Sequence, residues 1–292
     1  MIRVQFWGTR GGIPAPQWAT GRYGGNTPCV QVTSFQDGTP GAAMRPGDPQ
    51  VILDGGTGLL TMQPTLMRGP AGHGRGELHF LLSHYHWDHI MGIAFFTPLF
   101  LPGNRAVFYG ASIEELHTSI ERLFTSVYSP IKDPKNLAAD LAYRQVALDG
   151  MEIAGFHVRA AHNVHPDGSL SFRIQYGPHA VVYTTDHSVE DPDVDSRLVE
   201  LARGADLWIL AAAFSEEYKR DCPGSHSTHL EVTRLAVEAE VETTVLFHHS
   251  GYDDSTLDRR ELEAAELAKG TQTTVLTARD GMVMDIGNTA TR

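Results

Sequence analysis

Short apolar runs separated by glycine, proline and polar residues dominate the chain. Most are rich in β-branched and aromatic side chains, which is typical of buried strands. The runs are VQFW, CVQVTSF, VILD, LHFLL, VALDG, GFHVRAA, SLSFRIQY, AVVYTT, TTVLF, TTVLTA and GMVMDI. They form a meander early in the chain and later alternate with helices. The pattern therefore predicts sheets whose outer faces are covered by helices.

Other segments have the periodicity of an amphipathic helix. They are SIEELHTSIERLF, VDSRLVELARG, THLEVTRLAVEAE and STLDRRELEAAELAKG. The first contains Ser112 and Glu115, and the third contains Thr228 and Glu231, at the spacing of a capping box. Both helices are therefore expected to begin at these polar residues.

Composition places the chain among ordinary globular proteins. It has 292 residues, of which 41% are hydrophobic and 20% charged. This length allows one large or two small domains. The polar stretches 36–49 and 68–76 are predicted loops rather than linkers, because strand patterns resume directly after them. We therefore expect a single domain over residues 1–292. The segment 125–139 has no clear period and is expected to form a mobile loop over a site.

Charge and cysteine content restrict the environment and the partners. The net charge of −12 argues against a nucleic-acid polymer as the main partner, although a bound metal would reverse the local sign. No apolar run is long enough to cross a membrane, and the N-terminus lacks the apolar stretch of a secretory signal. Cys29 and Cys222 cannot form a disulfide framework. These features predict a cytoplasmic protein.

Many of the 15 histidines follow apolar runs. The densest group is Ser83-His84-Tyr85-His86-Trp87-Asp88-His89, directly after LHFLL. In an extended segment His84 and His86 point to the same side, and a turn returns His89 beside His86, while Asp88 adds an oxygen. Such a set is typical of a divalent metal site. A histidine-rich surface loop is the alternative, but such a loop rarely follows a buried strand directly.

The same arrangement recurs along the chain. Four further apolar runs lead to residues of a metal-binding type, namely Asp54, His165, Asp186 and His248. Each has an ordinary alternative, since an aspartate after a strand is often a turn former or helix cap. Together they predict a site at the strand ends, where layered α/β folds bind ligands.

His226-Ser227-Thr228 precedes a predicted helix. Ser227 or Thr228 is a candidate N-cap, and His226 could reach an anion held at the helix start. Both roles are compatible.

The motifs resemble those of the metallo-β-lactamase-fold hydrolases. HYHWDH corresponds to their HxHxDH motif. The chain is more narrowly similar to the phosphodiesterase branch, with tRNA 3′-processing endonucleases and bacterial cyclic-phosphate and cyclic-nucleotide phosphodiesterases. The similarity extends over FWGTRGGIPAP, RYGGNTPCV, ILDGGTG, HPDGSLSFRI, VVYTTD, GSHST and LFHHSGYDDSTLD. It implies an α/β fold, a four-layer αββα sandwich with two metals in a cleft.

The resemblance also implies residue roles. One metal would be held by His84, His86 and His165, the other by Asp88, His89 and His248, and Asp186 would bridge them. Asp54 would steady the ligands from outside. Asp88 would also orient a hydroxide that bridges the metals, and His226 would donate to the phosphate or leaving group. His248 is preferred to His249 because it follows the strand at the family's spacing.

The expected activity is hydrolysis of small cyclic nucleotides or cyclic phosphates by two divalent metal ions. Zinc or manganese is favoured, and iron is possible. A hydrolase of lactones, thioesters or β-lactams is one alternative, and a di-iron redox or metal-binding protein is another. The expected partner is a small phosphodiester, with no nucleic-acid polymer or membrane, and a homodimer is possible.

Two segments depart from the pattern of these relatives. Ala211-Ala212-Ala213-Phe214 stands where relatives often have a polar segment that begins with aspartate. Ser250-Gly251 follows the last histidines, where relatives often have aspartate-proline. Both changes are expected to alter the substrate pocket rather than metal binding.

Overall fold

The computed structural model describes residues 1–16, 21–35, 49–125, 133–221 and 224–287. The predicted loop 36–49 lies outside these ranges except for Pro49, and so does the central part of the predicted loop 125–139. Cys222 is also outside them. Cys29 is buried as a free thiol.

The described strands form two seven-stranded sheets. The first has the order β14-β1-β2-β3-β4-β5-β6, and the second has the order β13-β12-β11-β10-β9-β8-β7. The strands of the first sheet are β1 (Ile2–Gly8), β2 (Cys29–Ser34), β3 (Gln50–Leu53), β4 (Glu77–Leu81), β5 (Arg105–Gly110), β6 (Asp140–Gln145) and β14 (Val283–Ile286). Those of the second are β7 (Met151–Ile153), β8 (Phe156–His162), β9 (Leu170–Tyr176), β10 (His179–Thr184), β11 (Leu207–Ala211), β12 (Thr243–Phe247) and β13 (Thr274–Thr277).

Helices cover both outer faces. They are α1 (Gly58–Met67), α2 (Trp87–Ile90), α3 (Ile113–Leu123), α4 (Pro192–Ala202), α5 (Glu216–Asp221), α6 (His229–Glu238) and α7 (Asp254–Ala268). Short 3-10 helices occupy Pro70–His73, Ile93–Phe95, Thr97–Phe100 and Pro134–Asn136. None of the helices in the described ranges has the length and apolar run needed to cross a bilayer.

Three apolar cores separate the layers. The inner core lies between the sheets and contains Phe6, Phe172 and Phe247. One outer core packs α1 and α3 against the first sheet, and the other packs α4, α6 and α7 against the second. This arrangement confirms the expected αββα sandwich.

Two helices begin at the N-cap residues that the sequence predicted. The Ser112 side chain accepts a hydrogen bond from the Glu115 amide at the start of α3. Thr228 caps α6, and the side chains of Thr228 and Glu231 form the full capping box. Both predicted N-caps are confirmed, because local polar spacing alone decides them.

The strand prediction for VALDG is wrong. Val146 packs in the inner core, but the following residues turn before β7 begins at Met151. Helices α1 and α5 and strands β5, β6, β7 and β11 were not predicted. Helix α1 contains Pro64, which obscures its pattern, and β6 is an edge strand whose residues are only partly buried.

We expect Phe172→Ala to lower the free energy of unfolding by about 3–5 kcal/mol, because a fully buried ring in the inner core would leave a cavity. Urea denaturation followed by circular dichroism measures the change. Leu262→Ala on α7 is the control, since Leu262 is 71% exposed, and should change stability by less than about 0.5 kcal/mol. Equal effects of the two substitutions would contradict the assignment of the inner core.

Candidate metal centre

The predicted site residues gather at one edge of the sandwich. Strands β3 and β4 run parallel in the first sheet, and β10, β11 and β12 run parallel in the second. Their carboxyl ends, together with the end of β8, therefore open at the same edge. The residues that follow these ends are Asp54, the segment 84–89, His165, Asp186 and His248. The structure brings together the residues that the sequence singled out.

A first group of potential ligands consists of His84, His86, His165 and Asp186. Asp186 Oδ2 lies 3.4 Å from His84 Nε2 and 3.6 Å from His165 Nε2. His165 Nε2 is 3.2 Å from His86 Nδ1. Three imidazole nitrogens and one carboxylate oxygen therefore converge on one point, a donor set that suits a divalent transition metal.

A second group consists of Asp88, His89 and His248. His248 Nε2 lies 3.1 Å from Asp88 Oδ2 and 3.1 Å from Asp186 Oδ1. His89 Nε2 lies 3.3 Å from Asp88 Oδ2 and 3.5 Å from Asp186 Oδ1. One oxygen of Asp186 thus faces the first group and the other faces the second, which is the placement required of a bridging carboxylate.

The adjacent residue His249 lies outside the cluster. Its Nε2 donates to the carbonyl oxygen of Ala278 at 2.9 Å. Burial lowers the pKa of His249 to about 3, so the ring is neutral. The structure therefore places His248 among the potential ligands and directs His249 away from them.

The electrostatics of the cluster fit a bound cation. Burial alone would raise the pKa of Asp186, but the imidazoles of His248, His89 and His84 hold it well below its ordinary value. Burial lowers the pKa of His84, and its Nε2 is buried without a hydrogen-bond partner. Ionised carboxylates beside an unpartnered imidazole nitrogen form a donor set that a divalent cation would complete.

Asp54 orients one residue of the second group, His89, from outside the cluster. Its carboxylate is fully buried and accepts hydrogen bonds from the Ser83 amide at 2.8 Å and the Ser83 hydroxyl at 2.9 Å. It also accepts from His89 Nδ1 at 2.8 Å and from the Tyr183 hydroxyl at 2.7 Å. Because Asp54 accepts from Nδ1 of His89, Nε2 is the nitrogen left to bind a cation. Against the effect of burial, Asp88, Asp186 and Asp54 raise the pKa of His89 well above its ordinary value, so a bound metal would displace a proton from Nε2.

Three of the strand-end residues have a left-handed backbone. The φ angle is 59° at Asp54, 46° at Asp186 and 58° at His248. This conformation is uncommon outside glycine and concentrates at functional sites. Gly11 also packs tightly here, since a Cβ on it would lie 2.2 Å from Nδ1 of His248. The backbone therefore turns sharply at the strand ends to direct these side chains inward.

The loop before α6 holds His226 beside both groups. Nδ1 of His226 is buried without a hydrogen-bond partner and lies 4.0 Å from Asp186 Oδ2. The Ser227 hydroxyl donates to the His187 carbonyl oxygen at 2.6 Å and accepts from the Val189 amide at 3.0 Å. Burial lowers the pKa of His226 to about 4, so its ring is neutral near pH 7. His226 also forms a possible third ligand group with Asp186 and His248.

A cavity of about 570 Å³ opens beside the cluster. His226 and His248 line it together with Phe214, Tyr218 and Tyr252. Ala213 and Phe214 from the first unusual segment and Ser250-Gly251 from the second also line it. The volume is that of a small-molecule site. Both departures from the family pattern therefore lie at the pocket, as their positions predicted.

Several contributing residues carry no clear sequence signal. The Gly12 amide donates to Asp88 Oδ2 at 2.7 Å, and the Thr185 hydroxyl donates to Asp186 Oδ1 at 2.7 Å. Two buried arginines, Arg10 and Arg260, bind backbone carbonyls around the cavity. The glycine-rich GTRGG stretch, which contains both Arg10 and Gly12, was the one hint at these two residues, and no motif singles out Arg260.

Comparison with known proteins agrees with this geometry. The family described as Beta-lactamase superfamily domain matches residues 50–249, well over half of the chain. A probable metallo-hydrolase of Bacillus subtilis, YhfI, is 28% identical over 264 residues, which cover 87% of this chain and 90% of YhfI.

Solved structures share the fold. The crystal structure of YhfI has a TM-score of 0.71 at 22% identity and covers 98% of this chain and 100% of its own. A diphosphatase of the PhnP family has a TM-score of 0.66 at 17% identity, with 98% of each chain covered. The short form of human tRNase Z has a TM-score of 0.63 at 18% identity and covers 97% of this chain and 99% of its own.

We expect Asp54→Asn to weaken metal binding by about 10- to 100-fold, because an amide cannot accept all four hydrogen bonds and would disturb the orientation of His89. Competition with a chromophoric chelator measures the affinity. Asp206→Asn is the control, since Asp206 accepts from His179 Nδ1 and the Ala180 amide away from the cluster. Unchanged affinity in Asp54→Asn would contradict this role.

Metal removal should destabilise the folded protein. We expect zinc or manganese, added to chelator-treated protein at a free concentration of 100 times Kd, to stabilise the native state by about 2.7 kcal/mol and so to raise Tm by about 4 °C. Thermal unfolding followed by circular dichroism measures the shift. Magnesium is the control, because it prefers oxygen ligands and should shift Tm less. If zinc, manganese and iron all leave Tm unchanged, the cluster is not a metal site.

Proposed function

Because the chain belongs to the β-lactamase superfamily, we propose that it is a phosphodiesterase that uses two divalent metal ions and acts on small cyclic nucleotides or cyclic phosphates. The observation that carries this proposal is the position of Asp186, whose two oxygens face two separate ligand groups. Such a carboxylate is suited to joining two cations at a short separation.

The proposed ligands are the residues of the two groups. His84, His86, His165 and one oxygen of Asp186 would hold the first metal, while Asp88, His89, His248 and the other oxygen of Asp186 would hold the second. When bound, the metals would supply Lewis-acid stabilisation of the phosphate and lower the pKa of water to near neutrality.

The chain's own residues orient the reactants. The Gly12 amide donates to Asp88 Oδ2, so Asp88 is held in place to orient an attacking water and to accept its proton. His226, neutral near pH 7, retains one N–H that can donate to a phosphate oxygen or to the leaving group. Its loop is anchored by Ser227, which keeps the ring beside the cavity.

The size and lining of the cavity support a small substrate. Its volume of about 570 Å³ accommodates a nucleotide-sized molecule. Two structural neighbours are described as a diphosphatase and as tRNase Z, and both names refer to phosphate ester or RNA chemistry. We propose a small phosphodiester because the cavity and the negative net charge fit it better than a nucleic-acid polymer.

We expect the metal-loaded protein to hydrolyse bis-p-nitrophenyl phosphate and at least one cyclic nucleotide or cyclic phosphate. His226→Ala should lower kcat for these substrates by roughly 10²–10³-fold through loss of a hydrogen-bond donor, with little change in KM. His157→Ala, at an exposed position on β8, is the control and should retain full activity.

Metal content is measured on the same samples. Loss of metal from His226→Ala would make this residue a ligand, and full activity would exclude the donor role. A fully loaded wild-type protein that cleaves only esters, thioesters or lactams would overturn the phosphodiesterase proposal.

A further inference from the structure

Three aromatic side chains line the cavity next to the ligand groups. They are Phe214, Tyr218 and Tyr252. No lysine, arginine, aspartate or glutamate is among the residues that line it within the described ranges. Apart from the histidines, the polar side chains in this lining are hydroxyls. The part of a substrate that lies here would thus meet rings and hydroxyl groups rather than fixed charges.

Buried arginines hold the backbone of Phe214 and Tyr252 in place, and one of them also contacts the Tyr252 ring. Arg260 is 6% exposed, and its Nη2 donates to the carbonyl oxygens of Ala212 at 2.7 Å and Phe214 at 2.8 Å. Its guanidinium carbon also lies 4.7 Å from the centroid of the Tyr252 ring. Arg10 Nη1 donates to the Tyr252 carbonyl oxygen at 2.7 Å. Rings held by buried groups lose little freedom when a ligand binds.

The rings also lead outward from the ligand groups. The centroid of Phe214 lies 4.8 Å from that of His226, with their planes 76° apart. Tyr218 meets Phe214 edge-on, with centroids 4.7 Å apart and planes at 80°. Tyr218 is 54% exposed, so it stands at the mouth of the cavity. A flat group next to a phosphate held at the ligand groups would lie against these rings.

We propose that Phe214, Tyr218 and Tyr252 form a subsite for the nucleobase of the substrate. The inference rests on the proposed function and narrows it from cyclic phosphates in general to phosphodiesters that carry a base. Aromatic side chains stack on any base, because every base offers a π-face. A substrate with a second phosphate would meet no lysine or arginine side chain among the described residues of this lining.

The test compares two phosphate monoesters that differ only by a base. Adenosine 5′-monophosphate and ribose 5-phosphate are titrated separately into the metal-loaded protein by isothermal calorimetry. Because both carry the same phosphate, the ratio of their affinities reports the contribution of the base. Stacking on one or two rings should favour adenosine 5′-monophosphate by at least about ten-fold. Equal affinities would overturn the proposal.

Variants assign the effect to the rings. Tyr218→Ala should reduce the affinity for adenosine 5′-monophosphate by roughly five- to ten-fold and leave that for ribose 5-phosphate unchanged, and Tyr218→Phe should restore it. Glu217→Ala, an exposed neighbour on α5, is the matched control and should change neither affinity. If Tyr218→Ala lowers the affinity for both ligands equally, or for neither, the three rings do not bind the base.

The outcomes separate this inference from the proposed function. If the protein cleaves phosphodiesters but binds both monoesters equally, the proposed function stands and the proposed subsite is wrong. If the protein cleaves no phosphodiester but binds adenosine 5′-monophosphate more tightly than ribose 5-phosphate, the proposed subsite stands and the proposed function is wrong.

Discussion

The buried carboxylate of Asp54 is the interaction on which the site depends. Asp54 follows strand β3, and its four hydrogen bonds come from the segment after β4 and from Tyr183 of β10. This one residue therefore connects both sheets at the edge where the candidate ligands lie. The Ser83 carbonyl oxygen adds a second tie by accepting from the Leu170 amide at the start of β9. A buried charge of this kind is tolerated because it is fully satisfied, and that satisfaction sets the position of His89.

The sandwich makes such a cluster possible. Each sheet has parallel strands, and their carboxyl ends bring polar residues from distant parts of the chain to one edge. Placing so many imidazoles and carboxylates together is costly without a cation. Burial lowers the pKa of His84, and the neighbouring imidazoles hold the pKa of Asp186 well below its ordinary value. The left-handed backbone at Asp186 and His248 is the local strain that accompanies this convergence.

The pocket is built differently from the cluster. Its walls come from Phe214 after β11 and Tyr252 after β12, and Arg260 links them through backbone carbonyls and the Tyr252 ring. The alanine-rich segment before Phe214 and the pair Ser250-Gly251 contribute small side chains, so the lining is shaped mainly by aromatic groups. We therefore propose that residues outside the candidate ligand motifs select the substrate, in keeping with the rule that a fold does not fix its function.

The sequence by itself determined the layers, most strands, two helix caps and the candidate ligands, because hydrophobic periodicity, capping spacing and the HYHWDH motif are local properties of the chain. The elements β5, β6, β7, β11, α1 and α5 were missed, and VALDG was wrongly predicted as a strand, because short apolar runs carry little information about their neighbours. Only the tertiary structure decided that Asp54 binds Tyr183, that His249 binds the Ala278 carbonyl oxygen, and that Arg10 and Arg260 support the pocket. These contacts join residues far apart in the chain, so packing between the sheets determines them and local sequence does not.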